Sequence, residues 1–294
     1  MASGQERKLR RRIKSVQSTK KITRAMEMIA ASRIVKAQQR VAAARPYSEQ
    51  ITEVLRQLAA SGVGLDHPLL KEREVQTVGY IVLAADRGLA GAYNTSVLRT
   101  ADRALQAVQA DGKDYSLSLS GRKAEGYFRY RGFRIDDAHT GFTEQPAYED
   151  ARQVADGMMQ RYTDGEVDQV QLVYTRFLSA GSQKVTNTRL LPMEKGAIED
   201  LAESEGPTAD YEFEPSAEGI LELLLPRYVE ARVYAAMLDA AASEHAARQR
   251  AMKSATDNAE EMVKTLGIQA NKIRQAGITT EIMEVVGGAE ALRK

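Results

Sequence analysis

Residues 243–266 read SEHAARQRAMKSATDNAEEMVKTL. This stretch contains no proline and no glycine. Within it Met252, Ala255, Ala259, Met262 and Leu266 recur at steps of three, four, three and four, the spacing of a coiled-coil seam. Small residues in the pattern, Ala255 and Ala259 here and Ala241 and Ala242 upstream, let a second helix approach closely. Gln269 breaks the seam and Ile273 resumes it. No proline follows Pro226, so the pattern predicts a helix of about 60 residues, roughly 90 Å long at about 1.5 Å per residue. A helix of that length must bury its stripe against something.

The other end of the chain supplies the partner. Residues 5–45 lack proline and glycine, and Leu9, Ile13, Val16, then Ile22, Met26, Ile29, then Ile34, Ala37, Val41 follow helical steps. Pro46 is expected to kink or interrupt this helix. Tyr47–Leu58 continues it with Ile51, Val54, Leu55 and Leu58, and Ser61-Gly62-Val63-Gly64 ends it. One helix enters the middle of the chain and the other leaves it, so the pair should be antiparallel. Gly267 and Gly277 weaken the second helix by about 1 kcal/mol each relative to alanine. Ile278, Ile282, Val285 and Val286 lie beyond the reach of the shorter partner, and an exposed apolar tip of this kind marks an interface.

Between the helices the pattern alternates. Val75–Ala85 is a near-continuous apolar run, read as a buried strand. Helical segments are expected at Asn94–Asp111, Arg122–Arg131 and Tyr148–Tyr162. Strands are expected at Tyr115–Leu119, Phe133–Thr140, Asp168–Leu178 and Lys184–Met193, the last two joined by the hairpin-like Ser179-Ala180-Gly181-Ser182. Alternation of this kind predicts a mostly parallel sheet covered by helices. Glu194–Ala209 reads as an acidic surface loop.

The chain has 294 residues, of which 43% are hydrophobic and 28% charged, enough to build a core. Its net charge is +1, yet between Met1 and Arg45 the only acidic residues are Glu6 and Glu27 among a dozen or so basic ones. A basic arm on a nearly neutral protein points to an acidic partner surface. With no cysteine there is no disulfide, thiol nucleophile or thiolate metal site. The longest apolar runs are of strand length, too short to cross a bilayer. His67, His139 and His245 share no ligand spacing, and neither a Ser-His-Asp constellation nor a phosphate-binding GxxxxGK[ST] is legible. Asp86–Asn94, DRGLAGAYN, follows a strand but lacks the GxGxxG spacing; it reads as a turn and helix start with Asn94 or Thr95 near the cap.

Three segments, in order, resemble the γ subunits of F-type ATP synthases: RRRIKSVQSTKKITRAMEMIAASR (Arg10–Arg33), DRGLAGAYN (Asp86–Asn94), and SEHAARQRAMKSATDNAEEM (Ser243–Met262) followed by NKIRQAGITTEIMEVVGGAEAL (Asn271–Leu292). The first and third are long and specific. The family usually has cysteine where Ala90 stands. The resemblance implies an α/β chain in which a long antiparallel coiled coil of N- and C-terminal helices joins a central Rossmann-like α/β domain. Its segments would be residues 1–60 (first helix), 75–193 (base), 194–215 (surface loop and ring-facing segment) and 216–294 (second helix).

The same resemblance implies a non-catalytic rotor with no cofactor of its own. Its partners would be three α and three β subunits around the coil, with the ε subunit and the membrane c-ring at the base. Lys20, Lys21, Arg24 and Met26 would meet β subunits, as would Arg274, Gln275, Thr279 and Glu281. Ile282, Val285 and Val286 would turn in the apolar sleeve of the catalytic ring, and Phe213 and Glu214 would touch the c-ring. The expected location is peripheral, on the cytoplasmic face of a bacterial cell membrane, with no transit peptide. Two readings of other classes compete. One is a basic coiled-coil nucleic-acid binder, against which the low aromatic content (6%) counts. The other is a dinucleotide-dependent enzyme, which would need the missing glycine fingerprint.

Overall fold

The computed structural model describes residues 2–60, 67–193 and 216–291. Helix α1 (Ala2–Ala60) opens the chain and α5 (Ala217–Ala291) closes it. Between them lie a short 3-10 turn (Pro68–Leu70), strand β1 (Thr77–Leu83), helix α2 (Tyr93–Ala110), strand β2 (Asp114–Ser120), helix α3 (Arg122–Tyr130), strand β3 (Asp137–His139), helix α4 (Tyr148–Thr163) and strands β4 (Gln169–Phe177) and β5 (Gln183–Leu191). Contacts divide the chain into two compact units, residues 1–30 with 249–294, and residues 31–248.

In the first unit α1 and α5 run antiparallel: Thr23 meets Thr256, and three residues earlier Lys20 meets Glu260. On α5 Met252, Thr256, Ala259, Val263, Leu266, Ala270, Ile273 and Gly277 are covered in an unbroken alternation of fours and threes, with Ala255 and Gly267 half-buried beside them. The sequence reading differed at three places. It put Met262 on the seam where Val263 stands, and Met262 is 44% exposed; it put Ala255 there, which is half-buried beside the buried Thr256; and it broke the seam at Gln269, where Ala270 is buried. Polarity hid Thr256, whose hydroxyl is satisfied internally. On α1 the covered positions are Glu6, Leu9, Ile13, Val16, Lys20, Thr23, Met26, Glu27 and Ala30. Ile22 and Ile29, expected in the stripe, are 61% and 54% exposed. They stand one residue off the heptad that Thr23 and Ala30 keep.

The second unit is built on a five-stranded sheet of order β3-β2-β1-β4-β5. Strands β3, β2, β1 and β4 are parallel, and β5 turns back antiparallel to β4. Residues alternate between the faces of β1. Val78, Tyr80 and Val82 pack with Val97, Ala101 and Leu105 of α2 and Phe128 of α3. Ile81 and Leu83 face a larger core shared by Val154, Met158 and Tyr162 of α4, Ile51, Leu55 and Leu58 of α1, and Leu225, Val229 and Val233 of α5. The long helices therefore supply one cover of the sheet. Proline does not interrupt α1: the helix continues through Pro46, and burial of Ile51, Leu55 and Leu58 beyond it outweighs the lost backbone hydrogen bond. Ser61–Gly64 and the segment 194–215 fall outside the described residues.

Candidate functional site

The apolar end of α5 is the first candidate. Counting along the helices from the Thr23–Thr256 pair brings the start of α1 level with Gly277, and Gly277 is the last partly covered residue of α5. Beyond it the helix continues to Ala291 with no second helix alongside among the described residues. Ile282, Val285 and Val286 are 56%, 72% and 54% exposed, joined by Ile278 and by Met283, which the sequence reading passed over. Five large apolar side chains within nine positions of a bare helix make a patch that a soluble surface does not normally leave open.

Polar candidates surround this tip. Arg274, Gln275 and Glu281 are exposed, while the Thr279 hydroxyl turns back to donate to the Gln275 carbonyl at 3.0 Å. Of the N-terminal candidates, Lys20 is half-buried and its Nζ stands 3.1 Å from Glu260 Oε2. Arg24 donates to both Glu27 oxygens at 3.0 Å, Lys21 is exposed, and Met26 is half-buried in the seam. The structure thus brings Lys20, Arg24 and Met26 together along one stretch of coil, with Lys21 free of ion pairs among the described residues. Ile22 and Ile29, which the sequence reading assigned to the interior, form with Met28 an exposed apolar strip. Phe213 and Glu214 lie outside the described residues.

The second candidate is the carboxyl edge of the sheet, where doubly wound folds hold ligands in the crevice at the reversal of strand order. Here β1 lies between β2 and β4, and DRGLAGAYN leaves the end of β1. The loop is a structural tie. Asp86 accepts from the Gly141 amide at 2.9 Å, the Thr143 hydroxyl at 3.0 Å and the Arg122 amide at 3.1 Å, joining three turns. Asn94 accepts from the Ala85 amide at 2.9 Å and donates to the Arg87 carbonyl at 3.2 Å. It is not the helix cap: Ala92 occupies that position, without a side-chain bond. Leu89 carries the turn at φ 62° and is exposed.

Helix α5 itself fills the space over this edge. Ala247 packs on Ala85, Ala90 and Tyr93, and the Ser243 hydroxyl donates to the Thr175 carbonyl at 3.1 Å. Arg248 donates to Glu244 and reaches the Gly88 carbonyl at 3.4 Å. Glu144 gathers arginines from three segments: Arg33 of α1 in a close hydrogen bond, and Arg87 and Arg248 each at 3.6 Å. Burial pushes the Glu244 carboxyl up even beside Arg248, and burial lowers His245, whose Nε2 lies 3.2 Å from the Glu144 carbonyl. Ser243, Glu244 and His245 are consecutive on α5 and so point to different helix faces. All three are buried, because at this level α5 is enclosed on several sides. The signal that could have found them is the density of polar residues inside an alanine-rich run. Among the described residues no group of three or more metal-binding side chains converges, and no helix is long and apolar enough to cross a membrane.

Comparison with known proteins settles the family. The family model described as ATP synthase matches residues 5–292. The chain is 52% identical over 295 residues to the ATP synthase gamma chain of Frankia casuarinae, covering 99% of this chain and 98% of that one. It is 49% identical to the ATP synthase gamma chain of Mycolicibacterium smegmatis, with 97% of each covered. Among solved structures, a chain of the Euglena gracilis mitochondrial ATP synthase superposes with a TM-score of 0.67 at 18% identity, over 99% of this chain and 95% of that chain. A chain from the central stalk and c-ring of the Tetrahymena thermophila mitochondrial ATP synthase gives 0.59 at 23% identity, over 80% of this chain and 99% of that chain. With its whole length matched and half its residues shared end to end, the chain belongs to the family of ATP synthase γ chains.

Proposed function

We propose that this chain is the rotor shaft of an F-type ATP synthase and performs no chemistry itself. The observation that carries the reading is the bare end of α5, a single helix past Gly277 that presents Ile278, Ile282, Met283, Val285 and Val286. Such a helix requires an enclosing partner, and a ring of three α and three β subunits supplies one. An apolar collar suits rotation because dispersion and hydrophobic contact have no preferred direction, whereas hydrogen bonds would break at each step. Proton flow turns the c-ring, the c-ring and ε turn this chain, and each orientation of the shaft favours a different conformation of each β subunit. The shaft thereby couples their binding free energies.

Along the coil, Lys20, Lys21, Arg24 and Met26 meet β subunits, and so do Arg274, Gln275, Thr279 and Glu281 nearer the tip. Ile282, Val285 and Val286 bear on the sleeve. Phe213 and Glu214 touch the c-ring. ATP synthase is a membrane-associated complex, and this chain sits peripherally on the cytoplasmic side of a bacterial membrane.

The test is co-expression with cognate α and β subunits, followed by mass determination and Mg-ATP turnover. One copy of this chain per three α and three β, in a complex that hydrolyses ATP when the isolated chain does not, is the expected result. A chain that stays apart from folded α and β overturns the proposal.

A further inference from the structure

Within residues 31–248, helices α1, α4 and α5 leave a cleft of about 450 Å3 lined by Arg40, Ala43, Ala44, Tyr47, Tyr148 and Tyr234. Ligand sites typically fall between about 300 and 1,000 Å3. Positions 40, 43, 44 and 47 share one face of α1. The two alanines keep the floor low, and the aromatic rings make the walls. The Tyr148 ring stands edge-on to both others, with its centroid 6.1 Å from Tyr47 and 5.6 Å from Tyr234.

This wall is anchored. The Tyr148 hydroxyl donates to Glu230 Oε2 at 2.6 Å. Glu230 is buried and also accepts from Arg227 at 3.2 Å, so its charge is answered behind the ring and does not face the cleft. Burial and the bond to Glu230 push the Tyr148 phenol up, which keeps it a neutral donor. At the mouth Arg40 donates to Gln145 Oε1 at 3.2 Å and, among the described residues, makes no ion pair. Its remaining donors are available to a planar anion.

A neighbouring hollow of about 310 Å3 shares Ala44, Tyr47 and Tyr234, but there Arg45 and Arg176 are matched by Glu49 and Asp239, so it offers an anion no net charge. We infer that the Arg40–Tyr47–Tyr148–Tyr234 cleft binds a planar aromatic carboxylate, its ring among the tyrosines and its carboxylate on Arg40. Offset or edge-on stacking selects the flat ring. The guanidinium fork selects the carboxylate. An aliphatic acid gains only the second interaction, and a neutral aromatic only the first.

Calorimetric titration of the full chain with naphthoate, naphthamide and cyclohexanecarboxylate tests the site. Naphthoate should saturate one site, with naphthamide weaker by about fivefold, the size of one exposed charge pair. Cyclohexanecarboxylate should be weaker by about tenfold through lost stacking. Arg40→Gln should erase the preference for naphthoate over naphthamide, while Tyr47→Ala should weaken both by about fivefold. Both positions are exposed, so each variant should keep the parent circular dichroism. Naphthoate that fails to saturate, or binds both folded variants as tightly as the parent, overturns the inference.

Discussion

Thr23 and Thr256 stand hydroxyl to hydroxyl at 2.8 Å, buried in the seam and separated by 233 positions in the chain. Each hydroxyl also has a carbonyl of its own helix in reach, Lys20 at 3.1 Å and Met252 at 2.8 Å. A polar pair in an otherwise apolar seam fixes register, because sliding either helix by one step would bury a hydroxyl against methyl groups.

Thr256→Val should cost about 0.5–1.5 kcal/mol through the lost bond between the helices, and Thr23→Val/Thr256→Val should cost less than the sum of the single variants, since both remove that same bond. Hydrogen exchange of the α5 amides between residues 249 and 270 checks it. A double variant as damaged as the sum of the singles would show that the pair does not act as a pair.

Gly121 joins β2 to α3 at φ 100°, and a Cβ there would lie 2.3 Å from the Ala84 carbonyl oxygen. Gly121→Ala should cost about 3 kcal/mol or more. Gly112, at φ 74° with nothing within 4 Å, provides the control. Its alanine variant meets only backbone strain, about 1 kcal/mol. Urea midpoints of the two variants make the comparison.

Burial raises the Asp239 carboxyl from its ordinary 3.8 to about 6, with Arg176 opposing the shift. The folded chain then holds this proton more tightly than the unfolded chain does. Its contribution is complete below about pH 3.8 and is lost as pH rises through about 6. Asp239→Asn should gain about 1–2 kcal/mol over the parent near pH 8, allowing for partial exposure, and almost nothing near pH 4. Melting curves at those two values read the difference. Equal gains at both would place the effect elsewhere.

Ile282→Asp/Val286→Asp should leave the isolated chain folded, since both side chains are exposed. In the assembled synthase the same pair should lower ATP synthesis by about tenfold or more, because the carboxylates would have to be desolvated inside the ring. Circular dichroism of the free chain and synthesis by the reconstituted complex give the two readings. Unimpaired synthesis would remove these residues from the ring contact.

The layered middle of the chain was legible because each element kept a clean period. Val75–Ala85 could only be a buried strand, and its neighbours alternated as a parallel sheet requires. The seam of α5 was legible from Met252, Ala259 and Leu266, but its polar member was not, because Thr256 satisfies its hydroxyl through a partner 233 positions away. The α1 stripe misled for a related reason. Ile22 and Ile29 have helical spacing of their own, and hydrophobicity alone does not separate a face turned to a sister helix from one turned outward. The buried cluster of Glu144, Glu244, His245 and Arg248 was opaque because its members come from distant segments and none carries a motif. The tip was readable from length alone, since one helix plainly outran the other.

That overrun bears on how the molecule is completed. The stretch from Ile278 to Ala291 spans about four turns and contains Gly287 and Gly288. A solitary helix of this length is marginal in water, and two glycines weaken it further. On the proposed ring contact, its order comes from burial against other subunits. Insertion is then the last step of folding as well as a docking event, with a larger negative heat capacity than rigid surfaces would give. The end of the chain acquires its stiffness from the very machine it drives.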